Sequence, residues 1–286
     1  MEKFIQIAKD VYLLKVPFGP VWTGVILLRG EKNILIDSSA TGEDVDTYVI
    51  PALKELGMQL RDIHYLINTH SHGDHIGGNA RLRQLGDFQV ASFTGCKPKV
   101  EDPVPYAIAT RTKFPAHSPA PQSFLKGVKV DVALADGEIL ENRLQVFHTP
   151  GHDNDCVCLL DLPTGTLITG DSLQANGTIC QGVGFYKSLP DYLYTLDKLD
   201  KLPIKNILCG HDYEGIGYWM EGEENVRTAL SYCRARVDAY HNFIMEHKNQ
   251  EPADIATALI NELGCGTPER LFMALYTVTE HLNKEN

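Results

Sequence analysis

The first third of the chain alternates between short apolar runs and turn-forming residues. Val11–Val16, Val21–Arg29 and Asn33–Ile36 are apolar or β-branched and are broken by Pro17, Gly19-Pro20 and Gly30-Glu31, a pattern that predicts strands. Ile36 runs into Asp37, so the third strand ends on a carboxylate. From Glu43 to Leu56 the period changes. Val45, Val49, Leu53 and Leu56 fall at three- and four-residue spacing and predict a helix, with Pro51 forcing a kink or a late start. Asp62–Thr69, carrying Ile63, Tyr65, Leu66 and Ile67, predicts a buried strand.

The second half repeats this texture. Val128–Leu134, Leu144–Thr149, Cys156–Asp161, Thr166–Thr169 and Asn206–Cys209 predict strands, and Leu189–Leu202 predicts a helix with Leu193, Leu196 and Leu199 on one face. Two strand-rich halves with interspersed helices predict an α+β fold, two sheets packed face to face and covered outside by helices. After Gly217 the pattern becomes helical. Glu221–Lys248 carries Val226, Leu230, Cys233, Val237, Tyr240 and Ile244 at helical spacing, and Pro252–Leu263 and Pro268–Leu282 follow. Thr267-Pro268 reads as an N-cap followed by proline at the first helical position. The expected division is residues 1–220 as the catalytic unit and 221–286 as an all-helical extension. The stripe Leu271, Phe272, Leu275, Tyr276 and Val278 must be buried, because isolated helices of this length are marginal in water. It is expected to cap the pocket, with Tyr218 or Trp219 near the entrance, although a subunit interface, hence a homodimer, would also bury it.

Composition narrows the partners. An apolar content of 43% over 286 residues supports a large core, and a net charge of −11 disfavours nucleic acid, whose phosphates need clustered Lys and Arg. Seven cysteines without a CxxC pair argue against a disulfide framework or a thiolate zinc knot. No signal-peptide pattern opens the chain, and no apolar run approaches the roughly 18 residues of a membrane span. The expected compartment is the cytoplasm. Within Phe93–Val130, however, Lys97, Lys99, Arg111, Lys113, Lys126 and Lys129 face only Glu101 and Asp102. The many prolines of this segment predict an irregular, stiff loop, which either receives an anionic group or packs over the sheet edge.

The chemistry concentrates at Thr69-His70-Ser71-His72-Gly73-Asp74-His75, just past a predicted strand. His70 and His72, two apart, can face one side of an extended turn, while Asp74 and His75 open the next helix and aim elsewhere. One segment therefore offers ligands to two adjacent ions, and imidazole with carboxylate suits zinc, iron or manganese. No structural need gathers four costly polar groups after an apolar strand. His152 in Thr149-Pro150-Gly151-His152, Asp171 in Thr169-Gly170-Asp171 and His211 in Cys209-Gly210-His211 each follow a predicted strand and a glycine. His148, four residues before His152, is expected to play a hydrogen-bonding or packing role. His241, His247 and His281 read as separate surface residues.

The ordered set His70-Ser71-His72-Gly73-Asp74-His75, then TPGH, TGD and GH, resembles the metallo-β-lactamase superfamily of dinuclear metal hydrolases over about Val11 to Tyr218. The resemblance implies a four-layer αβ/βα sandwich with two divalent ions, expected to be zinc with iron or manganese as alternatives, at one edge of its sheets. It implies His70, His72 and His152 at one ion, Asp74, His75 and His211 at the other, and Asp171 bridging them. Asp37 matches the early aspartate that supports the ligand loop from behind, and Asp74 both binds metal and orients water. A hydroxide between the ions would be the nucleophile. Gly184-Phe185-Tyr186, Leu196-Asp197-Lys198-Leu199 and Cys209–Tyr213 look like glyoxalase II, whose basic glutathione-holding motif is not found in the helical tail. The expected reaction is hydrolysis of a small, possibly anionic, ester, thioester or lactone. The alternatives are a phosphodiesterase or ribonuclease of this fold and an iron-dependent oxidoreductase.

Overall fold

The apolar runs become strands that are buried on both faces, which is why neighbours such as Leu13 and Leu14, or Leu27 and Leu28, are both inaccessible. A computed structural model describes residues 2–266 and 270–284. The first sheet holds β1 (Ile5–Ala8), β2 (Val11–Phe18), β3 (Val21–Leu28), β4 (Asn33–Ile36), β5 (Ile63–Asn68), β6 (Gln89–Phe93) and β7 (Val132–Leu134), side by side in chain order. It is antiparallel from β1 to β4 and parallel from β4 to β7. The second sheet is built from β8 (Ile139–Leu140), β9 (Leu144–His148), β10 (Val157–Asp161), β11 (Thr166–Gly170), β12 (Asn206–Tyr213) and β13 (Gly217–Glu221), in the order β13-β12-β11-β10-β9-β8. Its one parallel pair is β11 with β12.

Leu13, Ile26, Ile36 and Ile67 of the first sheet meet Val146, Leu159, Ile168 and Leu208 of the second in the central layer. Outside the first sheet lie α1 (Gly42–Asp44), α2 (Ile50–Glu55), α3 (Gly73–Ile76) and α4 (Asn79–Leu85), with Leu53 and Leu82 against Leu27, Leu35 and Leu66. Between α1 and α2 the residues Val45–Val49 form a π-helical turn, in which the Ile50 N–H reaches the Val45 carbonyl. Pro51 has no N–H to continue an α-helical ladder at that point, and the wider turn absorbs the gap. The second sheet is covered by α7 (Leu189–Leu199) and α8 (Glu223–Glu246), through Tyr192, Leu196, Leu230 and Val237. Layers of helix, sheet, sheet and helix result.

Two corrections concern Phe93–Val130 and the tail. The first segment is not a plain loop: it contains α5 (Lys97–Glu101) and α6 (Pro103–Thr112), with Pro98 and Pro103 in the first turns, where a missing N–H costs nothing. In the tail, α8 extends past the sheet and packs Tyr240 and Ile244 against α9 (Pro252–Leu263) and α10 (Leu271–Asn283). The expected Thr267-Pro268 cap lies outside the described residues. His281 is fully buried, not a surface residue; its Nε2 is 2.6 Å from the Tyr186 hydroxyl and its Nδ1 3.4 Å from His241 Nδ1. Packing of α8 against α10 brings together histidines 40 residues apart in sequence. Among the described residues no helix is long and apolar enough to cross a membrane.

Candidate metal centre

Strand ends from both sheets meet at one edge of the sandwich. His70 lies just past β5, Asp74 and His75 lie in α3, His152 follows β9, Asp171 follows β11 and His211 sits within β12. These elements gather the seven residues into two adjoining clusters, one of His70, His72, His152 and Asp171 and one of Asp74, His75 and His211. Asp171 joins them. Its Oδ2 is 3.4 Å from His152 Nε2 and 3.9 Å from His70 Nε2, while its Oδ1 is 3.3 Å from His75 Nε2 and 3.4 Å from His211 Nε2. Asp74 Oδ2 completes the second cluster, 3.3 Å from His211 Nε2 and 3.7 Å from His75 Nε2.

The far nitrogen of each ring fixes which nitrogen faces inward. His152 Nδ1 lies 2.9 Å from the Phe185 carbonyl and His211 Nδ1 2.6 Å from that of Trp22; a carbonyl only accepts, so each Nδ1 carries a hydrogen and Nε2 is the nitrogen turned to the cluster. His75 Nδ1 donates to Asp37 Oδ2 at 2.8 Å. The same carboxylate accepts from the Thr69 backbone N–H and hydroxyl, both at 2.8 Å, and the Thr69 oxygen in turn accepts from His70 Nδ1 at 3.1 Å. His72 is reversed: Nε2 faces Asp153 Oδ2 at 3.2 Å, so Nδ1 points inward. Carboxylate or carbonyl partners behind ligand histidines orient the rings and raise their basicity. Gly77 and Gly78 let the ligand loop press on the Asp37 turn, since a Cβ would stand 1.8 Å from the Ala40 carbonyl oxygen and 2.1 Å from that of Ser38.

The profile of the metallo-beta-lactamase superfamily matches residues 16–211. The chain belongs to the metallo-beta-lactamase superfamily. Within it, a beta-lactamase-like protein 2 homolog of Drosophila melanogaster is 27% identical, over 91% of this chain and 80% of that protein. A mitochondrial persulfide dioxygenase of Homo sapiens is also 27% identical, over 89% of each chain. A hydroxyacylglutathione hydrolase of Pelagibacter ubique is 27% identical over 57% of each. Among solved structures, a superfamily protein from Thermus thermophilus shares the fold with a TM-score of 0.79 and 22% identity, covering 98% of this chain and 95% of that one.

The donor set fits the metal that this superfamily implies. His70 Nε2 and Asp171 Oδ1 are buried and have no hydrogen-bond partner among the described residues. His152 Nε2 and His72 Nδ1, both bearing lone pairs, stand 2.9 Å apart, and His75 Nε2 and His211 Nε2 stand 3.3 Å apart. Facing lone pairs need a positive charge between them. At His70 and His152 a proton does not supply it: burial holds His70 well below its usual value and pushes His152 down to about 3. In the second cluster protons do. Burial opposes them, but Asp171, Asp37 and Asp74 raise His75 well above its usual value, and Asp171 and Asp74 raise His211 to about 10. Burial alone would raise Asp171, yet His211 and His75 hold it well below the carboxylate range. An N/O donor set without thiolate suits zinc, iron or manganese.

Some residues around the centre were invisible in the sequence. Asp153 is buried beside His72, bound by Lys99 Nζ at 2.7 Å and by Lys187. Its place directly after His152 was the available signal. Lys99, one of the basic residues of Phe93–Val130, is therefore neutralised by Asp153 and by Asp155 at 3.3 Å. Lys97 and Lys129 likewise meet Glu101 and Asp131 at 3.9 and 3.6 Å, and Lys113 lies over Tyr276. Arg111 is the residue of that basic run that lines the cleft. The cleft encloses about 850 Å³ including its open mouth, with Phe185, Leu125, Met273 and Tyr106 as apolar walls. The expected entrance residues are corrected too. Tyr218 packs edge-on against Trp22 under Lys15, whereas Arg270 and Met273 of the tail line the cleft and Tyr276 packs on Phe185. His148 stacks on Phe93 and bonds the Asn154 carbonyl, outside both clusters.

Proposed function

We propose that the chain is a dinuclear metal-dependent hydrolase of a small ester, thioester or lactone. The observation that carries this reading is the division of Asp171 between two clusters, one oxygen facing each, at the floor of an apolar cleft. Two divalent ions bound about 3.5–4 Å apart would supply an activated water at neutral pH and polarise the scissile oxygen. His70, His72, His152 and Asp171 would hold one ion, and Asp74, His75, His211 and Asp171 the other. Asp74 lines the cleft and is held ionised, against burial, by His75 and His211, so it offers a hydrogen-bond acceptor that orients a water molecule. Phe185, Leu125 and Met273 exclude bulk water from the carbonyl being attacked, which strengthens every polar contact there.

The persulfide dioxygenase relative, aligned over 89% of the chain, favours a second reading, iron-dependent oxidation at the first cluster alone. Protein loaded separately with zinc, manganese and ferrous iron distinguishes the two. It is assayed on 4-nitrophenyl acetate, a thioester, a lactone and bis-4-nitrophenyl phosphate, and for oxygen uptake with a glutathione persulfide. Turnover of an ester, thioester or lactone without oxygen uptake supports the hydrolase. Oxygen uptake by the iron form with no hydrolysis overturns it, and turnover confined to the phosphodiester replaces it with a phosphodiesterase.

A further inference from the structure

We propose that the cleft takes a substrate bearing an oxyanion, a carboxylate or phosphate away from the scissile bond, gripped between Arg111 and Arg270. This deepens the hydrolase reading and rests on it. Arg111 lies in the last turn of α6 and Arg270 immediately precedes α10, so two elements distant in sequence deliver two guanidinium groups to the cleft that also exposes His72, Asp74, Asp171 and His211.

The treatment of other cations in this chain makes the pair informative. Lys99 and Lys187 both pair with Asp153, Arg143 pairs with Asp161, and Arg83 with Asp131. Among the described residues Arg111 and Arg270 have no carboxylate partner, and the buried Arg111 Nε has no hydrogen-bond partner. An unpaired, partly buried charge is costly, and placing a second cation beside it raises the cost. Burial first, and then Arg270, pull Arg111 down to about 10, with Asp74 opposing them through space. Binding an ion would engage Asp74 and remove that compensation. An anionic ligand restores it.

Aromatic rings hold both groups in place without using their hydrogen bonds. The Arg111 guanidinium lies 4.4 Å over the Phe272 ring, and that of Arg270 lies 5.7 Å over Phe18. Contact with a ring uses none of a guanidinium's N–H donors, and that planar fork matches the two oxygens of a carboxylate or phosphate. Phe272 is itself fully buried and so is a fixed support.

The test uses metal-loaded, full-length protein and two readouts. In the first, kcat/KM is compared for mono-4-nitrophenyl glutarate, which carries a free carboxylate, and for neutral 4-nitrophenyl acetate. Arg111→Gln and Arg270→Gln should each lower the preference for the anionic ester at least tenfold, Arg111→Lys should restore part of it, and Arg227→Gln on the remote face of α8 should leave it as in the wild type. Equal loss on both esters, or no loss, overturns the proposal. In the second, glutarate and phenyl phosphate are titrated calorimetrically into wild type and into the Arg111→Gln/Arg270→Gln double variant. The ligand whose affinity falls at least tenfold identifies the anion, and unchanged affinity for both refutes the pair. Failure of the wild type to cleave either ester would count against the ester branch of the hydrolase reading alone, because the titrations still decide on the arginines.

Discussion

Asp37→Asn is a nearly isosteric change with a calculable effect on one half of the metal centre. The Asp37 carboxylate accepts three hydrogen bonds, from the Thr69 N–H, the Thr69 hydroxyl and His75 Nδ1, each at 2.8 Å, in a fully buried position. An asparagine keeps one acceptor oxygen, which the Thr69 N–H retains at Oδ1. The amide nitrogen then faces the Thr69 hydroxyl and His75 Nδ1–H, donor against donor. His75 escapes the clash by giving up its Nδ1 proton and keeping the one on Nε2, the atom that faces His211 and Asp171. That proton occupies the lone pair a metal needs. Removing a supporting group of this kind typically costs 10–100-fold in metal affinity, about 1.4–2.7 kcal/mol. The lost charge-assisted bonds cost the fold about 1.5–3 kcal/mol more. Zinc titration of the variant by calorimetry should therefore show affinity at the second cluster lowered by at least tenfold, with the first less affected, and a lowered Tm of the metal-free protein. A variant that takes up both ions with wild-type affinity would refute the assignment of Asp37.

Gly77→Ala should prevent folding to the native state or lower its stability by more than about 3 kcal/mol, since its Cβ would lie 1.8 Å from a backbone oxygen that cannot yield, and denaturant unfolding measures this. His148→Gln should keep metal content near the wild-type value by elemental analysis, because His148 bonds Asn154 and stacks on Phe93; loss of an ion would overturn its exclusion from the centre. Loading should also be pH-dependent in one cluster only. His211, raised to about 10, and His75 are protonated in the metal-free protein at neutral pH, whereas His70 and His152 are not. Filling the second cluster should then release about two protons at pH 7 and tighten as pH rises towards 10, while His70 and His152 of the first release none. Calorimetry in buffers of different ionisation enthalpy reads the difference, and equal release at both would contradict it. For the metal-free fold the sign runs the other way: the stabilisation from charged His211 is complete below about 6.5 and is lost as pH rises through about 10.

The residues that cluster were legible because each one breaks a local rule. His70, His72, Asp74 and His75 follow a strand of Ile63, Leu66 and Ile67, a place where folding alone asks for no polar cluster. The supports behind them were harder to see. Asp153 and Lys187 are single polar residues whose meaning depends on a neighbour 34 positions away. The fate of Lys99 within the basic run of Phe93–Val130 was hidden for the same reason, since Asp153 and Asp155, which neutralise it, lie beyond the run in the chain. Pro98 and Pro103 read as loop markers although the first turn of a helix accepts proline equally well. His281 looked exposed because its burial comes from Tyr186 and α8, and no periodicity within α10 reports a partner helix.

The measurement that bears most directly on the central claim is the count and position of metal ions in the purified protein. Elemental analysis combined with anomalous diffraction should find two ions per chain, one in each cluster with Asp171 between them, and Asp171→Ala should lose both. A saturating single ion at His70, His72 and His152, with Asp74, His75 and His211 left without metal and Asp171→Ala affecting that one ion alone, would contradict a shared dinuclear centre.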